Sequence, residues 1–308
     1  MPKLSHIDTV GDLIERGARR LARAGLAFGH GTDNAWDEAA ALVLHAAGLS
    51  PIAGSRMTTL RIGKARAARA RALIERRIGE RVPAAYLTGR TWFAGLEMRV
   101  DPRVLIPRSP IAELIERRFS PWISVERTRR ILDLGTGSGC IAIACAKAFP
   151  RACVDAVDIS RDALAVARCN VRRHRVGGRV RLVASDHFRG LARRRYDIIV
   201  SNPPYVGGRE LEGLPPEYHH EPRRALAAGR DGLESVRIII AGAADHLAPG
   251  GILVVEVGNT ERAVRRAYPS LPFTWLEFER GGGGVFLLTA EQLRGARRQR
   301  RRSSSVNR

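Results

Sequence analysis

The stretch Arg130–Phe149, RILDLGTGSGCIAIACAKAF, passes from a short apolar run through a glycine turn into an apolar helix. A strand that turns on glycines into a helix is the opening unit of an open α/β sheet, because glycine lets the backbone approach a ligand closely at the carboxyl edge of the strands. Working outward, short β-branched runs recur at Val154–Val157, Val180–Val183, Tyr196–Val200 and Ile252–Val257, with helical stretches between them. This alternation predicts parallel strands with covering helices, a doubly wound Rossmann-like α/β sheet. Two last strands, near Phe273–Phe278 and Val285–Leu288, flank Gly281–Gly284 and are expected to form an antiparallel pair at the sheet edge, giving seven strands.

Upstream, residues 1–90 carry apolar side chains at helical spacing: Leu13, Ile14 and Leu21, then Leu42, Val43 and Leu49, then Leu73, Ile74 and Ile78. They predict a small helical domain, with Asp33 or Asn34 placed to cap one of its helices. Residues 91–106 (TWFAGLEMRVDPRVLI) alternate and break at Ala94-Gly95 and Asp101-Pro102, the pattern of a β-hairpin linker. The α/β domain is expected to span 107–293. The tail at 294–308 (RGARRQRRRSSSVNR) has no apolar periodicity and is expected to be disordered.

Composition narrows the function. The 308 residues are 44% hydrophobic and 27% charged, too apolar for disorder. No run approaches the roughly 18 to 20 apolar residues of a membrane span, and the N-terminus lacks the pattern of a signal peptide, so a cytoplasmic protein without membrane contact is expected. Cys140, Cys145, Cys153 and Cys169 form no CxxC pair and have no His at ligand spacing, which argues against a metal site or a disulfide scaffold. The formal net charge is +21, with 49 Arg and 3 Lys, and the last 18 residues alone carry +6. Such a surface suits a polyanionic partner as well as solubility.

The glycine turn is Gly135-Thr136-Gly137-Ser138-Gly139. A nicotinamide fingerprint needs a third Gly where Cys140 stands, and a phosphate-cradling loop needs a Lys that is missing; the GxGxG spacing is common among proteins that bind S-adenosylmethionine. Asp158, at the end of the next strand, can accept both ribose hydroxyls of an adenosyl group. Asp186, followed by His187, can accept from the adenine amine or cap a helix.

Ser201-Asn202-Pro203-Pro204-Tyr205 is the most informative segment. Two prolines supply no N–H, so the turn presents carbonyl oxygens beside the Asn202 side chain. That set can hold the two hydrogens of a planar NH₂ group at Asn202 and the Pro203 carbonyl, with Tyr205 on its flat face and the nitrogen lone pair aimed at a sulfonium methyl. Asn202, Pro203, Pro204 and Tyr205 are therefore the candidate catalytic and substrate-binding residues. An Asn-Pro-Pro-Tyr loop serves enzymes that methylate base amines in RNA or DNA and enzymes that methylate glutamine amides, so it leaves the substrate open.

Several segments together resemble the HemK-type protein glutamine methyltransferases: LIPRSPIAEL (105–114), the glycine turn, the Asn-Pro-Pro-Tyr loop, LPPEYHHEPRRALAAGRDGL (214–233), GHGTDNAWDEA (29–39), and PFTWLEF followed by GGGGVFLLT. Within this family, residues 106–111 (IPRSPI) resemble the branch that methylates a large-subunit ribosomal protein, the third of the L series, more than the release-factor branch, which usually has an acidic residue and a Thr there. The resemblance implies a class I S-adenosylmethionine-dependent methyltransferase domain preceded by a substrate-recognition domain. It makes Gly135, Thr136, Gly137, Ser138, Gly139 and Asp158 cofactor contacts and Asn202–Tyr205 the glutamine clamp, with Asn202 also at the cofactor. His187 stands where the family often has an aromatic residue beside the adenine. Glu217, Tyr218 and Glu221 are expected along the substrate path or in a solvated loop, and Arg108 in a lid or paired with Glu113 or Glu116. The Arg-rich tail and the ten arginines of residues 168–195 suggest contact with ribosomal RNA. A ribosome-assembly factor without catalysis would show decay of the clamp or the glycine turn, and both are intact.

Overall fold

The computed structural model describes residues 8–50, 57–191 and 194–306, with side chains up to residue 299. The chain forms two compact units. One comprises residues 1–91 together with 100–102 and 215–220, and the other 92–99, 103–214 and 221–308. The helical unit thus takes in a short segment, Pro215–His220, from far along the chain, where a contiguous 1–90 domain was expected.

In the helical unit, α1 (Val10–Arg23), α2 (Ala35–Ala47), α3 (Lys64–Glu80) and α4 (Ala84–Thr88) surround one apolar cluster. Thr9 and Asp12 form a reciprocal capping box at the start of α1, and Asn34 caps α2 by accepting from the Asp37 N–H. Of the two capping candidates at that turn, Asn34 is the one used. Val10, Leu13, Ile14 and Leu21 bury one stripe of α1, and Gly17 on that stripe lets Ile74 and Ala39 come close.

Inside this unit lies a fully buried arginine. Arg77 donates from Nε to Glu38 Oε1 (3.1 Å), from Nη1 to Glu217 Oε1 (3.0 Å) and from Nη2 to the Ala27 carbonyl (2.9 Å). Glu217 Oε1 also accepts from the Ala27 N–H at 3.1 Å. Burial pushes the Glu38 carboxyl up against the pull of Arg77. At Glu217 burial pushes the same way, but hydrogen bonds from its own backbone N–H, Arg77 and Ala27 outweigh it and hold the group low.

A hairpin of β1 (Arg90–Phe93) and β2 (Leu96–Arg99) turns through Ala94 and Gly95, both at positive φ, as the sequence breaks there predict. The second unit then runs α5 (Ile111–Glu116), β3 (Arg130–Leu134), α6 (Cys140–Ala148), β4 (Cys153–Asp158), α7 (Arg161–Arg173), β5 (Val180–Ala184), β6 (Tyr196–Ser201) and α8 (Gly208–Glu212). It continues with α9 (Glu234–His246), β7 (Leu247–Glu256), α10 (Glu261–Ala267), β8 (Thr274–Leu276), β9 (Val285–Thr289) and α11 (Ala290–Val306). The seven strands lie in the order β5-β4-β3-β6-β7-β9-β8, parallel except for β9, which pairs antiparallel with both neighbours.

Alternation along the strands builds the two faces. Ile131, Ile198, Val200, Ile252 and Val254 point into one cluster with Ile141 and Ile143 of α6. Leu132, Leu134, Ile199, Leu253 and Val255 point into the other with Val236, Ile239 and Ala243 of α9.

The C-terminal segment differs from its expected disorder, because α11 continues to Val306. Thr289 and Gln292 cap its start reciprocally, Leu293 and Ala296 are buried in the second cluster, and Arg294 donates to the Leu247 carbonyl. With the first two turns anchored and no proline beyond them, arginine's good helix propensity carries the helix on. Residues 307 and 308 lie outside the described residues.

Replacing Arg77 with Met takes its cation from the buried Glu38 and leaves the buried Glu217 with Arg81 alone. Urea unfolding followed by circular dichroism should show a loss of about 3–5 kcal/mol, most of it returned when Glu38→Gln and Glu217→Gln are added. An unchanged unfolding midpoint in the single variant would refute the anchoring role.

Candidate active site

The parallel register aligns four strand ends. Leu134 of β3 pairs with Val157 of β4 and with Ser201 of β6, and Ser201 pairs with Val255 of β7. One residue further on, the chain reaches Gly135, Asp158, Asn202 and Glu256. β3 is the switch point: the chain goes to one side of it for β4 and β5 and to the other for β6 and β7, which opens a crevice at the carboxyl ends. The Ser201 hydroxyl donates to the Leu134 carbonyl at 2.7 Å, fastening the strand that ends in the clamp to the strand that ends in the glycine turn.

The glycine turn is held from below. Gly135 N–H and Thr136 N–H both donate to the Val157 carbonyl (2.9 and 2.8 Å). The Thr136 hydroxyl (2.6 Å) and the Ala142 N–H (3.1 Å) donate to Asp133 Oδ2, while Asp133 Oδ1 is buried without a hydrogen-bond partner. Burial pushes the Asp133 carboxyl up to about 7. Asn170 of α7 donates to the Ser138 carbonyl at 2.8 Å. Gly139 combines φ +82° with a close approach, since a Cβ there would lie 3.2 Å from that of Ala167. At Gly137, φ +54°, a Cβ would meet open space, so the upper side of the turn forms an open cradle of backbone.

Asp158 is tied into this turn. Its Oδ2 accepts from the Gly137 N–H (2.9 Å) and its Oδ1 from the Ser160 N–H (2.8 Å). Burial raises its carboxyl, opposed by those two bonds and by the charge of Arg224. Each oxygen keeps a lone pair for a further donor. The next residue, Ile159, is 53% exposed, an apolar side chain standing in water beside the cradle. A backbone cradle, a carboxylate and an adjacent exposed apolar side chain suit a nucleoside-like group.

Asp186 and His187 are engaged with each other. His187 Nδ1 donates to Asp186 Oδ1 at 2.7 Å and Arg189 pairs with Oδ2 at 3.2 Å, and the hydrogen bond from His187 lowers the Asp186 carboxyl. No helix follows Asp186 among the described residues of this loop, so it is not a helix cap. Ser185 closes the turn instead, its hydroxyl accepting from the Gly190 N–H.

The clamp runs Asn202, Pro203, Pro204, Tyr205 and is pinned at its exit, where the Val206 N–H donates to the Leu226 carbonyl and the Ala228 N–H to the Val206 carbonyl, 2.9 Å each. Tyr205 donates its hydroxyl to Glu256 Oε1 at 3.1 Å. A Cβ at Gly258 would come within 2.6 Å of the Tyr205 ring, and one at Gly232 within 2.5 Å of its carbonyl oxygen, so both positions require glycine. Tyr205 is therefore held at its hydroxyl by Glu256 and packed against Gly258 at its ring.

Three expectations change. Glu217 and Tyr218 belong to the helical unit, Glu217 on Arg77 and Tyr218 edge-on against His30 at 4.4 Å, so they do not stand in a solvated loop. Glu221 is buried and accepts from the Ile106 N–H (3.0 Å) and from Arg108 Nη1 and Nη2 (2.6 and 2.7 Å). Arg108 is thus fixed by Glu221, and Glu113 instead accepts from the N–H groups of Glu279 and Arg280. Sequence reasoning also missed Glu256 and Asp133, whose signal was a lone carboxylate in an apolar strand, as in Ile252–Val257 and Ile131–Leu134, and it gave Ser109, within the quoted IPRSPI, no role of its own.

Among the described residues, no group of three or more His, Cys, Asp or Glu is placed to hold a metal ion, and no helix is long and apolar enough to cross a membrane.

Residues 118–214, which include the cradle and the clamp, match the family described as Methyltransferase small domain. Among solved structures, the hMettl16 catalytic domain in complex with MAT2A 3′UTR hairpin 6 is similar at a TM-score of 0.50 and 19% identity, over 73% of this chain and 80% of that one, a likeness of fold. Curated relatives are nearer. The ribosomal protein uL3 glutamine methyltransferase of Xanthomonas campestris pv. campestris is 49% identical over 287 residues, 93% of each chain. That of Francisella tularensis subsp. tularensis is 44% identical over 291 residues, 94% of this chain and 93% of the relative. Agreement at that level across both units, and not only across the sheet, means that the chain belongs to the ribosomal protein uL3 glutamine methyltransferase family.

Proposed function

We propose that this protein transfers a methyl group from S-adenosylmethionine to the side-chain amide nitrogen of a glutamine in the large-subunit ribosomal protein uL3. The observation that carries the reading is the placement of Asn202-Pro203-Pro204-Tyr205 one register step from the glycine cradle and Asp158. Family membership favours the glutamine amide over a base amine or a release factor.

Gly135–Gly139 would hold the cofactor by backbone, Asp158 its ribose, and Ile159 an apolar face of its base; Asp186 and His187 line the neighbouring strand end. When bound, the cofactor supplies an electrophilic methyl on a positively charged sulfur. The rest is positioning by this chain. Asn202 Oδ1 and the Pro203 carbonyl accept the two amide hydrogens, which fixes the plane of the amide and turns its nitrogen toward the cradle. Pro203 and Pro204 keep competing N–H donors out of the turn. Tyr205 stacks its ring on the amide. The acceptors also draw electron density toward nitrogen, and the methylated nitrogen is acidic enough to lose its proton without a strong base nearby. A cytoplasmic setting belongs to this reading, since ribosomal proteins are modified where ribosomes are built.

The arginines extend the proposal to ribosomal RNA. Arg168, Arg172 and Arg175 are exposed at the end of α7, and α11 carries Arg298 and Arg300–Arg302 beyond its buried turns. They would hold the enzyme near a pre-ribosomal particle.

Methyl transfer from labelled S-adenosylmethionine into ribosomes from cells lacking this enzyme should mark uL3 on glutamine. With Asn202→Ala the rate should fall about 100-fold or more while calorimetry shows cofactor affinity within about threefold of wild type. Label in RNA or in a release factor would overturn the substrate. A chain ending at Gln299 keeps Leu293 and Ala296 in place, and its binding to ribosomal RNA should show a salt dependence shallower by roughly two to three units of log K per log salt. An identical slope would remove the helix end from RNA contact.

A further inference from the structure

Glu256 ends β7, buried, and neither the cradle nor the amide acceptors use it. Both its oxygens are occupied. Oε1 accepts from the Tyr205 hydroxyl at 3.1 Å and Oε2 from the Ser109 hydroxyl at 2.5 Å. Ser109 is itself held: its oxygen accepts from the Ile111 N–H at 3.2 Å, and the preceding residue, Arg108, is gripped by both oxygens of Glu221. A continuous chain of hydrogen bonds and backbone therefore runs from Glu221 through Arg108 and Ser109 to Glu256 and on to the clamp tyrosine.

Gly258 and Gly284 show how tightly that end is built. Gly258 touches the Tyr205 ring, and Gly284 packs so closely on Gly258 that a Cβ there would lie 2.1 Å from the Gly258 carbonyl oxygen. The Val257 N–H, next to Glu256, donates to the Gly284 carbonyl at 2.7 Å. A buried carboxylate is costly, and an apolar residue would end this strand more cheaply. What a carboxylate gives is a stronger, directional acceptor for two hydroxyls.

We propose that Glu256 is a positioning residue for the methyl-transfer clamp. Through Ser109 and the Tyr205 hydroxyl it fixes the orientation of the Tyr205 ring and keeps the phenol O–H from donating to the substrate amide. The proposal rests on the amide-clamp reading for its catalytic consequence, while the fixing of the ring stands on this chain alone.

The test uses the full-length enzyme labelled with 3-fluorotyrosine, the Tyr205 resonance being assigned by its absence in Tyr205→Phe. In Glu256→Ala that resonance should shift and sharpen as the ring gains motion, and in Glu256→Gln, which keeps an acceptor, it should stay near its wild-type position. Steady-state kinetics on ribosomal substrate should show kcat lowered about 10- to 100-fold in Glu256→Ala with cofactor affinity within about twofold, and largely restored in Glu256→Gln. Tyr205→Phe should cost about as much, and the double variant no more than either single one, because both remove one interaction. An unmoved fluorine resonance in folded Glu256→Ala, or losses that add in the double variant, overturns the proposal. If Glu256→Ala does not fold, Ser109→Ala serves in its place, with a smaller shift of the same sign expected and an unmoved resonance equally fatal. A mobile ring in the variant together with methyl label elsewhere than on glutamine keeps the positioning role and overturns the substrate reading.

Discussion

The register of the parallel strands is the constraint on which the site depends. Leu134, Val157, Ser201 and Val255 pair across β4, β3, β6 and β7, so the residues that follow them stand side by side at one edge. Strand side chains alternate between faces, and a slip of one residue in β6 would turn Ile199 out of its cluster and carry Asn202 away from the cradle. The apolar alternation that fills the two clusters is therefore also what sets the distance between the glycine turn and the Asn-Pro-Pro-Tyr loop. The Ser201 hydroxyl on the Leu134 carbonyl adds a polar tie at the same level, where the apolar contacts end.

Around that edge, order is kept by buried carboxylates that serve local donors. Asp133 holds the glycine turn to the start of α6, Asp158 joins the turn to the start of α7, Glu221 grips Arg108, and Glu256 holds Ser109 and Tyr205. Each is a costly group made tolerable by hydrogen bonds, and in a region of low dielectric those bonds are stiff as well as strong. The helical unit uses the same device with the signs exchanged, one buried guanidinium shared by Glu38, Glu217 and a backbone carbonyl. Arginine suits that role because its five donors lie in a fixed plane and it does not lose its charge when buried.

The features legible in the sequence were those governed by local rules. Short β-branched runs located the first five strands of the sheet, glycines marked the turn at 135–139, and the double proline marked the loop at 202–205. Glu256 and Glu221 were legible only as charges in unpromising places, since what they bind lies 51 and 113 residues away along the chain. Glu217 is the sharper case. Its neighbours read as a polar loop, and only the pairing with Arg77, 140 residues distant, makes the segment part of another unit's core. At the C-terminus the missing apolar period misled for a different reason. Two buried residues, Leu293 and Ala296, suffice to start a helix that arginine then extends at little cost.

The same long-range pairing changes how the charge of the chain is to be read. Of the ten arginines in residues 168–195, Arg173 pairs with Glu97, Arg181 and Arg194 with Asp155, and Arg189 with Asp186. Arg179 donates to the carbonyls of Phe149 and Ala152, and Arg195 to that of Leu247. Arg294, in the segment that seemed pure surface charge, does the same for Leu247. These guanidinium groups fasten carbonyls at strand and helix ends, Arg179 reaching two of them at once from one nitrogen. The formal charge of +21 already nets out the ion pairs, so pairing changes where the positive charge sits and not how much of it there is. The exposed Arg168, Arg172 and Arg175 at the end of α7 are one such place, from which electrostatic attraction to a polyanion would favour particular orientations of approach over a uniform pull.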